Sequence, residues 1–204
     1  MDDATETGIP AHAVTVVDVA PSQVRARLDE AMAIYVAAMD YAPSSGSQRG
    51  VHLLRHASLD SFRCRAALDG DGTMLAFGYG YTSLPGQWWH DLVHRAIGGN
   101  ADEWLHNAFE LSELHVLPSA QGRALGEQVL RSLATGLRHQ TMVLSTPEGE
   151  NRAWRLYRRL GFVDLARKHM FPGDHRPFGV LGATLPFAAR TVASTGPATS
   201  ASPS

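Results

Sequence analysis

The sequence has little of several features that mark particular protein classes. Its 204 residues contain one cysteine, so no internal disulfide can form and the chain suits a reducing compartment. The net charge is only -2, which predicts no general attraction to nucleic acid or to anionic membranes. No apolar run approaches the ~18 residues of a membrane-spanning helix. The acidic start, MDDATETGIP, lacks the form of a signal peptide. Together these absences predict a cytoplasmic protein.

Several chemistries also lack their usual motifs. The GxxxxGK[ST] loop of triphosphate sites and the GxGxxG loop of dinucleotide sites are both absent. His90 and His94 are spaced as zinc ligands on a helix, but Asp91 stands where a zincin has glutamate. Since no third ligand is evident, we predict no metal site, and a metal-dependent hydrolase is disfavoured. Cys64 lies in a predicted strand, FRCRAAL, where we expect it to fill the core.

The remaining pattern predicts one domain between two polar ends. Residues 1–12 and the Ser/Thr/Ala/Pro-rich residues 189–204 are predicted to be disordered, and residues 13–188 have the length of a single domain. Short β-branched runs alternate with amphipathic stretches, and Asp69–Gly72 has the composition of a hairpin turn. The predicted order is strand, two helices, three strands, helix, strand, helix and two strands. It indicates an α/β (α+β) layered domain around one sheet.

Two segments stand apart from this regular order. The stretch YAPSSGSQRG, residues 41–50, is predicted to break the chain between the first two helices, because it is rich in turn-forming residues. Residues 83–108 contain three of the four tryptophans, Trp88, Trp89 and Trp104. We predict that this second segment is a loop with one short helix, inserted between strands.

A glycine-containing turn follows the strand in ELHVLPSAQGRALGEQVL. Pro118 ends the strand, and Gly122 and Gly126 lack a Cβ, so a ligand can approach the backbone. The N-terminus of the following helix has unpaired N–H groups and partial positive charge, and Arg123 adds a full charge. Residues 121–168 hold nine basic and four acidic residues. We therefore predict a pyrophosphate site; the alternative is a tight connection whose glycines serve only the bend.

This segment resembles the acetyl-CoA signature of the GNAT (general N-acetyltransferase) superfamily of acyltransferases. That signature is L-x-V-x-P followed by Q/R-x-x-G-x-G/A and a helix. The matching residues are Leu114, Val116, Pro118, Gln121, Leu125 and Gly126. Ala124 replaces the first glycine of the family pattern, and puts a methyl group where the phosphates would lie.

A second segment, ENRAWRLYRRLGF, resembles the downstream helix motif of the same family, N-x-x-A-x-x-L/F-Y-x-x-x-G-F. The matching residues are Asn151, Leu156, Tyr157, Gly161 and Phe162. The alanine is offset to Ala153, and Trp154 takes its usual place. The two motifs occur in the family's order, with a predicted strand and a loop between them.

The resemblance implies a GNAT-like fold and acetyl-CoA as the acyl donor, although a longer acyl chain stays open. The fold has a mixed, mostly antiparallel central sheet flanked by helices, and two of its strands splay apart where the cofactor arm binds. The amide at or beside Val116 would contact the thioester carbonyl, the amides of 122–127 the pyrophosphate, and Asn151 the pantetheine arm. The implied cofactor-binding residues are Leu114, His115, Val116, Gln121, Gly122, Arg123, Ala124, Leu125, Gly126, Glu127, Asn151 and Tyr157.

The resemblance also implies catalytic roles. Tyr157 would protonate the leaving thiolate, unless it is only a packed aromatic residue. The base that deprotonates the amine is Glu110, Glu113 or His115, or a water relay takes its place. Glu110 lies where several family members carry a glutamate base. Strand alternation puts the two glutamates on opposite faces unless a bulge intervenes.

The function implied is N-acetyl transfer by direct attack in a ternary complex. The predicted acceptor is a small-molecule primary amine, with protein or peptide amines next. Trp88, Trp89 and Trp104 lie where the family places substrate loops, but they could equally close a core edge or a homodimer contact. A non-catalytic module that binds coenzyme A or a partner is the alternative function.

Overall fold

The computed structural model describes residues 13–188, and the predicted disordered ends lie outside this range. Its strands are β1 (Thr15–Asp18), β2 (Arg63–Leu68), β3 (Met74–Thr82), β4 (Ala108–Val116), β5 (Thr141–Pro147), β6 (Val163–Met170) and β7 (Pro177–Thr184). Its α-helices are α1 (Leu28–Met39), α2 (Ser44–His56), α3 (Trp88–Ile97), α4 (Ala101–Leu105), α5 (Leu125–Ala134) and α6 (Arg152–Arg159). Short 3-10 turns occupy Pro21–Gln23, Gly98–Asn100 and Pro118–Ala120. No helix within residues 13–188 has the length and apolar character to cross a membrane.

The seven strands form one sheet in the order β1-β2-β3-β4-β5-β7-β6. Every neighbouring pair is antiparallel except β4 and β5, which are parallel. The predicted hairpin between β2 and β3 is confirmed, and Asp69 stabilises its turn by accepting from the backbone N–H groups of Asp71 and Thr73. The predicted mixed, mostly antiparallel sheet flanked by helices is therefore confirmed.

Helices cover both faces of the sheet. On one face, α5 and α6 pack on alternate residues of the central strands, including Met142 and Leu144 of β5. On the other face, α1 and α2 cover β2 and β3, where Phe77, Tyr79 and Tyr81 point towards them. The helices α3 and α4 cover β5 and β7 on that same face. The boundary between these two helix pairs therefore lies over β4 and β5.

The predicted break after α1 is present, but it is shorter than 41–50, because α2 begins inside this stretch at Ser44. Gly46 and Gly50 are buried in α2 and face α1, and a Cβ at Gly46 would lie 3.3 Å from Val36 and 3.5 Å from Met32. Glycine has a low helix propensity, but here its missing side chain lets the two helices approach closely. Tertiary packing outweighs the local signal at these positions.

The tryptophan-rich insertion contains more helix than predicted. Its α3 spans ten residues and buries His90 and Val93, and α4 adds five more after the turn at Gly98–Asn100. Predicted helices also differ at their ends: α5 stops at Ala134, before Gly136, which has a φ of 73°. The expected helix after Pro21 begins as a 3-10 turn and becomes α-helical only at Leu28.

Candidate active site

The two parallel strands separate in the middle of the sheet. They pair only through Ala108–Glu110 of β4 and Thr141–Val143 of β5. Beyond that point β4 continues to pair with β3, and β5 pairs with β7 as far as Pro147. A wedge therefore opens between β4 and β5 beyond Glu110, as the resemblance implied.

The backbone of β4 lines this wedge with unpaired groups. The N–H of Leu117 donates to the carbonyl oxygen of Leu75 on β3 at 2.8 Å. Since successive amides of a strand point to opposite sides, the N–H groups of Leu114 and Val116 point away from β3. They form a free β-edge for an extended ligand. His115, between them, directs its side chain to the face covered by α1.

The backbone of the turn that precedes α5 has an unusual conformation. Gly122 has a φ of 85° and Ala124 a φ of 58°, both left-handed. No side chain caps the N-terminus of α5, so its first N–H groups are available to an anion. The side chain of Arg123 is exposed and forms no ion pair within residues 13–188. The turn therefore presents donors and positive charge, as a pyrophosphate site requires.

Ala124 replaces a glycine of the family pattern at a position where the backbone conformation favours glycine. A residue with a side chain in the left-handed region of φ and ψ costs roughly 1 kcal/mol of conformational free energy. The glycine of the family pattern would avoid this cost. The turn nevertheless keeps the left-handed backbone at this position. Alanine therefore preserves the direction of the amides despite the strain.

Gln121 connects the end of β4 to the start of α6. Its side-chain amide donates to the carbonyl oxygen of Val116 at 3.4 Å, and its side-chain oxygen accepts from Arg152 at 2.9 Å. Asn151 caps α6 through its side-chain oxygen, which accepts from the N–H of Trp154 at 3.1 Å. The side-chain N–H₂ of Asn151 then remains as a donor that can serve a ligand. This capping role was not predicted.

The helices α5 and α6 meet the strand at Gly126. A Cβ on this glycine would lie 3.4 Å from both Leu156 of α6 and Val116 of β4. Leu125 is also buried, and Glu127 pairs with Arg131 and Arg159 on the neighbouring helix surfaces. The side chains at 125–127 therefore serve packing and ion pairing, so only their backbone is available to a cofactor.

Tyr157 lies on α6 with 6% of its surface exposed. Its ring packs against Phe162, with 5.4 Å between the centroids, and its hydroxyl has no hydrogen-bond partner within residues 13–188. Burial raises the pKa of Tyr157, so the hydroxyl stays protonated at neutral pH. Tyr157 therefore has the protonated hydroxyl that a proton donor needs. It also has the packed surroundings expected of an aromatic residue with only a structural role.

A bulge in β4 brings two glutamates to one face. Tyr79 of β3 is opposite Glu113, Gly80 is opposite Leu111 and Tyr81 is opposite Glu110, so Ser112 is the extra residue. A Cβ at Gly80 would collide with the carbonyl oxygen of Glu110 and the ring of Phe109. Glycine at this position therefore permits the bulge, and both carboxylates face α1 and α2.

The carboxylate of Glu110 is buried with one oxygen unpaired. Only 3% of the residue is exposed. One oxygen, Oε1, accepts from the hydroxyl of Tyr81 at 2.9 Å, and the other, Oε2, has no partner within the described part of the chain. Burial raises the pKa of Glu110 to about 8, although the Tyr81 hydrogen bond and the charge of Arg49 act against it. The carboxyl group of Glu110 can therefore gain or lose a proton near neutral pH.

Glu113 has both of its oxygens engaged. Arg49 of α2 donates to Oε1, and His115 contacts Oε2. Burial and Arg49 lower the pKa of His115, which keeps the imidazole neutral. Tyr35 of α1 packs edge-on against His115 with centroids 5.1 Å apart. Glu113 and His115 therefore form a closed structural cluster, and Glu110 carries the free acceptor atom.

The tryptophans of the insertion occupy different places. Trp89 donates from its indole N–H to the hydroxyl of Ser145 at 2.9 Å, beyond the last β4–β5 pair, so it lines the wedge side of the sheet. Trp88 is 61% exposed and lies beside Phe171. Trp104 packs against Gly182, near the opposite end of β5, and its carbonyl oxygen accepts from Thr141. The structure thus brings Trp89 to the wedge and leaves Trp104 away from it.

The two histidines of α3 have separate partners. His90 is buried and contacts the hydroxyl of Ser83 at 3.0 Å, whereas His94 pairs with Asp102 at 3.7 Å. Within residues 13–188, no group of three or more histidine, cysteine or acidic residues is arranged to hold a metal ion.

Tyr81 and Arg49 are parts of the site that the sequence analysis missed. They lie on β3 and α2, far in sequence from both motifs. The alternation Phe77, Tyr79, Tyr81 in FGYGYT was the available signal, because it places three aromatic rings on one face.

Comparison with known proteins agrees with this geometry. Residues 92–171 match the family described as FR47-like protein. A GCN5-like protein acetyltransferase of Mycobacterium tuberculosis is 39% identical over an alignment that covers 85% of this chain and 99% of that protein.

Solved structures with low sequence identity share the fold. The ribosomal-protein-S18-alanine N-acetyltransferase of Escherichia coli superimposes with a TM-score of 0.58 at 15% identity, covering 88% of this chain and 99% of that chain. The PaiA N-acetyltransferase of Thermoplasma acidophilum, solved in complex with coenzyme A, gives a TM-score of 0.57 at 11% identity, covering 84% and 99%. With the sequence relative and the splayed strands, these similarities show that the chain belongs to the GNAT superfamily and is an acyltransferase.

Proposed function

We propose that the protein transfers an acetyl group from acetyl-CoA to a primary amine, by direct attack within a ternary complex. The observation that carries this proposal is the buried carboxylate of Glu110, whose unpaired oxygen lies where β4 and β5 separate. A carboxylate with a raised pKa at this point suits the removal of a proton from an amine.

The residues around the wedge fit coenzyme A. The amides of 122–127 and the charge of Arg123 suit a pyrophosphate, and the free edge at Leu114 and Val116 suits the amide-containing pantetheine arm. The side-chain N–H₂ of Asn151 is a further donor. When bound, acetyl-CoA supplies an activated thioester. A longer acyl chain on the same carrier would use the same contacts.

The side chains then divide the proton movements between them. Glu110 Oε2 accepts a proton from the amine, and the hydroxyl of Tyr157 donates one to the departing sulfur. The amide of Val116 points into the wedge, where it can donate to the carbonyl under attack. Cys64 is buried in β2, and burial raises the pKa of its thiol to about 12. It therefore does not serve as a covalent carrier, which favours direct transfer.

The acceptor we propose is an amine on a protein side chain. The relative with 39% identity is named a protein acetyltransferase, and its similarity covers 85% of this chain. Trp88 lies exposed beside the wedge-lining Trp89 and offers an apolar contact outside the cleft. Because Glu110 lies deep, the amine must arrive on a slender chain. The small-molecule primary amine predicted from the sequence satisfies the same requirement and is the second candidate.

Calorimetric titration with acetyl-CoA tests cofactor binding. The variant Arg123→Glu reverses an exposed charge at the turn without disturbing the packing that Gly126 maintains. Arg95→Glu makes the same change in net charge on α3, on the other face of the sheet. We expect wild type and Arg95→Glu to bind equally, and Arg123→Glu to bind about tenfold more weakly. Equal binding by all three proteins would remove the turn from the cofactor site.

Turnover is measured separately, as thiol release with panels of lysine-containing peptides and of small primary amines. Acceptor-dependent release with peptides supports the protein acceptor, and release with small amines alone supports the second candidate. Tight acetyl-CoA binding without acceptor-dependent release from either panel would favour the non-catalytic alternative.

A further inference from the structure

The side chain of Tyr81 is the only group within residues 13–188 that hydrogen-bonds the carboxylate of Glu110. The two residues face each other across β3 and β4, and the pair of Gly80 and Leu111 separates them from the bulge. The hydroxyl donates to Oε1 at 2.9 Å, and Oε2 has no partner within the described chain. The two carboxylate oxygens are therefore made chemically different by a single contact.

The ring of Tyr81 is itself held in place. His56 of α2 packs against it with 4.6 Å between ring centroids and an angle of 56° between the ring planes, and His56 also contacts the hydroxyl of Tyr79 at 3.3 Å. Ser112, the bulge residue, donates to the hydroxyl of Tyr79 at 3.4 Å. Burial and the nearby charge of Glu110 raise the pKa of Tyr81, so its hydroxyl keeps the proton that it donates.

We propose that Tyr81 is the positioning residue of the reaction, which occupies Oε1 of Glu110 and so leaves Oε2 as the atom that takes the proton from the acceptor amine. This inference rests on the proposed function of Glu110 as the base. Tyr81 itself touches neither substrate, since it acts through the carboxylate.

The contact between Tyr81 and Glu110 also affects the pH dependence of activity. The hydrogen bond from Tyr81 favours the ionised carboxylate, so its removal should raise the pKa of Glu110 further above its present value of about 8. The base must be ionised to act, so the rise of activity with pH should move to higher pH. Other charged or titratable groups on the helices and strands around Glu110 include Tyr35, Arg49, His52, Arg55, His56, Tyr79, Glu113 and His115.

The test compares Tyr81→Phe with Tyr79→Phe. Both variants remove one hydroxyl from a buried tyrosine on the same face of β3, but only Tyr81 bonds Glu110. We expect Tyr81→Phe to lower kcat about tenfold and to move the acid limb of kcat/KM up by about one pH unit. Tyr79→Phe should leave the position of that limb unchanged. Acetyl-CoA affinity and thermal unfolding show whether each variant is folded.

A second measurement does not depend on turnover. Infrared difference spectra between pH 5 and pH 10, with Glu110→Gln as reference, follow the protonated carboxyl of Glu110 directly. An upward move of its titration in Tyr81→Phe, absent in Tyr79→Phe, supports the inference. An unchanged titration and an unchanged acid limb in Tyr81→Phe would overturn it. Failure of the wild-type protein to transfer an acetyl group would instead contradict the proposed function.

Discussion

Glu110 and Glu113 lie on the same face of β4 although they are three residues apart, because the strand bulges at Ser112. The bulge presents both carboxylates to α1 and α2, where their surroundings differ. Arg49 and His115 occupy the two oxygens of Glu113, whereas Glu110 keeps one oxygen free. Glu113 is therefore engaged in structural contacts, whereas Glu110 keeps an acceptor atom for the role proposed above.

Glu110→Gln tests whether this carboxylate acts as the base. Glutamine keeps the shape and can still accept from Tyr81, but it cannot take a proton. We expect transfer to fall by at least about 100-fold, the usual contribution of a general base, with acetyl-CoA affinity unchanged by calorimetry. Glu113→Gln, by contrast, should act mainly by loosening Arg49 and His115, and should lower the melting temperature. Activity retained in Glu110→Gln would point to the water relay.

Glu110→Gln should also be more stable than the wild-type protein at high pH. The folded-state pKa of Glu110 is about 8, against an ordinary value of 4.5. The folded state of the wild type therefore holds the proton on Glu110 more tightly than the unfolded state does. Protonation of Glu110 thus stabilises the folded protein; this contribution is complete below pH 4.5 and is lost as pH rises through 8. We expect similar unfolding free energies near pH 5 and an advantage of about 4 kcal/mol for Glu110→Gln at pH 9, because each unit of pKa difference corresponds to about 1.4 kcal/mol. Urea unfolding across this range measures it, and a constant difference would contradict the raised pKa.

The order of elements and the two cofactor motifs could be predicted from the sequence because both are local patterns. Periodicity marks strands and helices, and the turn before α5 lies within a few residues of its strand. The bulge at Ser112 could not be predicted, since it appears only when β4 pairs with Gly80 of β3. The start of α2 was hidden for a similar reason: Gly46 and Gly50 oppose helix formation locally and favour it through contact with α1.

The left-handed turn before α5 supplies a matched pair of variants. Ala124→Gly relieves backbone strain of roughly 1 kcal/mol, and the greater freedom of glycine in the unfolded chain offsets most of it. We expect a stability change within about 0.5 kcal/mol and tighter binding of coenzyme A, because a methyl group leaves the turn. Gly122→Ala introduces the strain instead, in open space, and should cost about 1 kcal/mol. Unchanged binding by Ala124→Gly would indicate that the phosphates do not approach this turn.

Tyr157→Phe separates the two roles considered for this residue. The phenylalanine ring preserves the contact with Phe162, so the protein should unfold at nearly the wild-type temperature. We expect kcat to fall about tenfold with an unchanged dissociation constant for acetyl-CoA, because only the proton donor is lost. Steady-state kinetics with a saturating acceptor measure the effect. An unaltered kcat would show that Tyr157 is only a packed aromatic residue.

A contact between two loops predicts an effect on the acceptor alone. Arg176, before β7, pairs with Asp174 and places its guanidinium 5.4 Å from the ring centroid of Tyr41, which joins α1 to α2. Tyr41 packs on Tyr35, and Tyr35 packs on His115 beside the wedge, so this contact borders the face on which Glu110 lies.

Arg176→Ala removes the ion pair and the cation–π contacts with Tyr41 and Phe178. Together these are worth about 1 kcal/mol at a half-exposed site. The loop after α1 should then move more freely, and KM for the acceptor should rise about fivefold, the factor that corresponds to 1 kcal/mol. The affinity for acetyl-CoA should not change, because the turn at 121–124 lies on the opposite side of the wedge. Arg95→Ala, at an exposed arginine without a partner in the described chain, is the control. Equal rises of KM in both variants would assign the effect to net charge rather than to the loop contact.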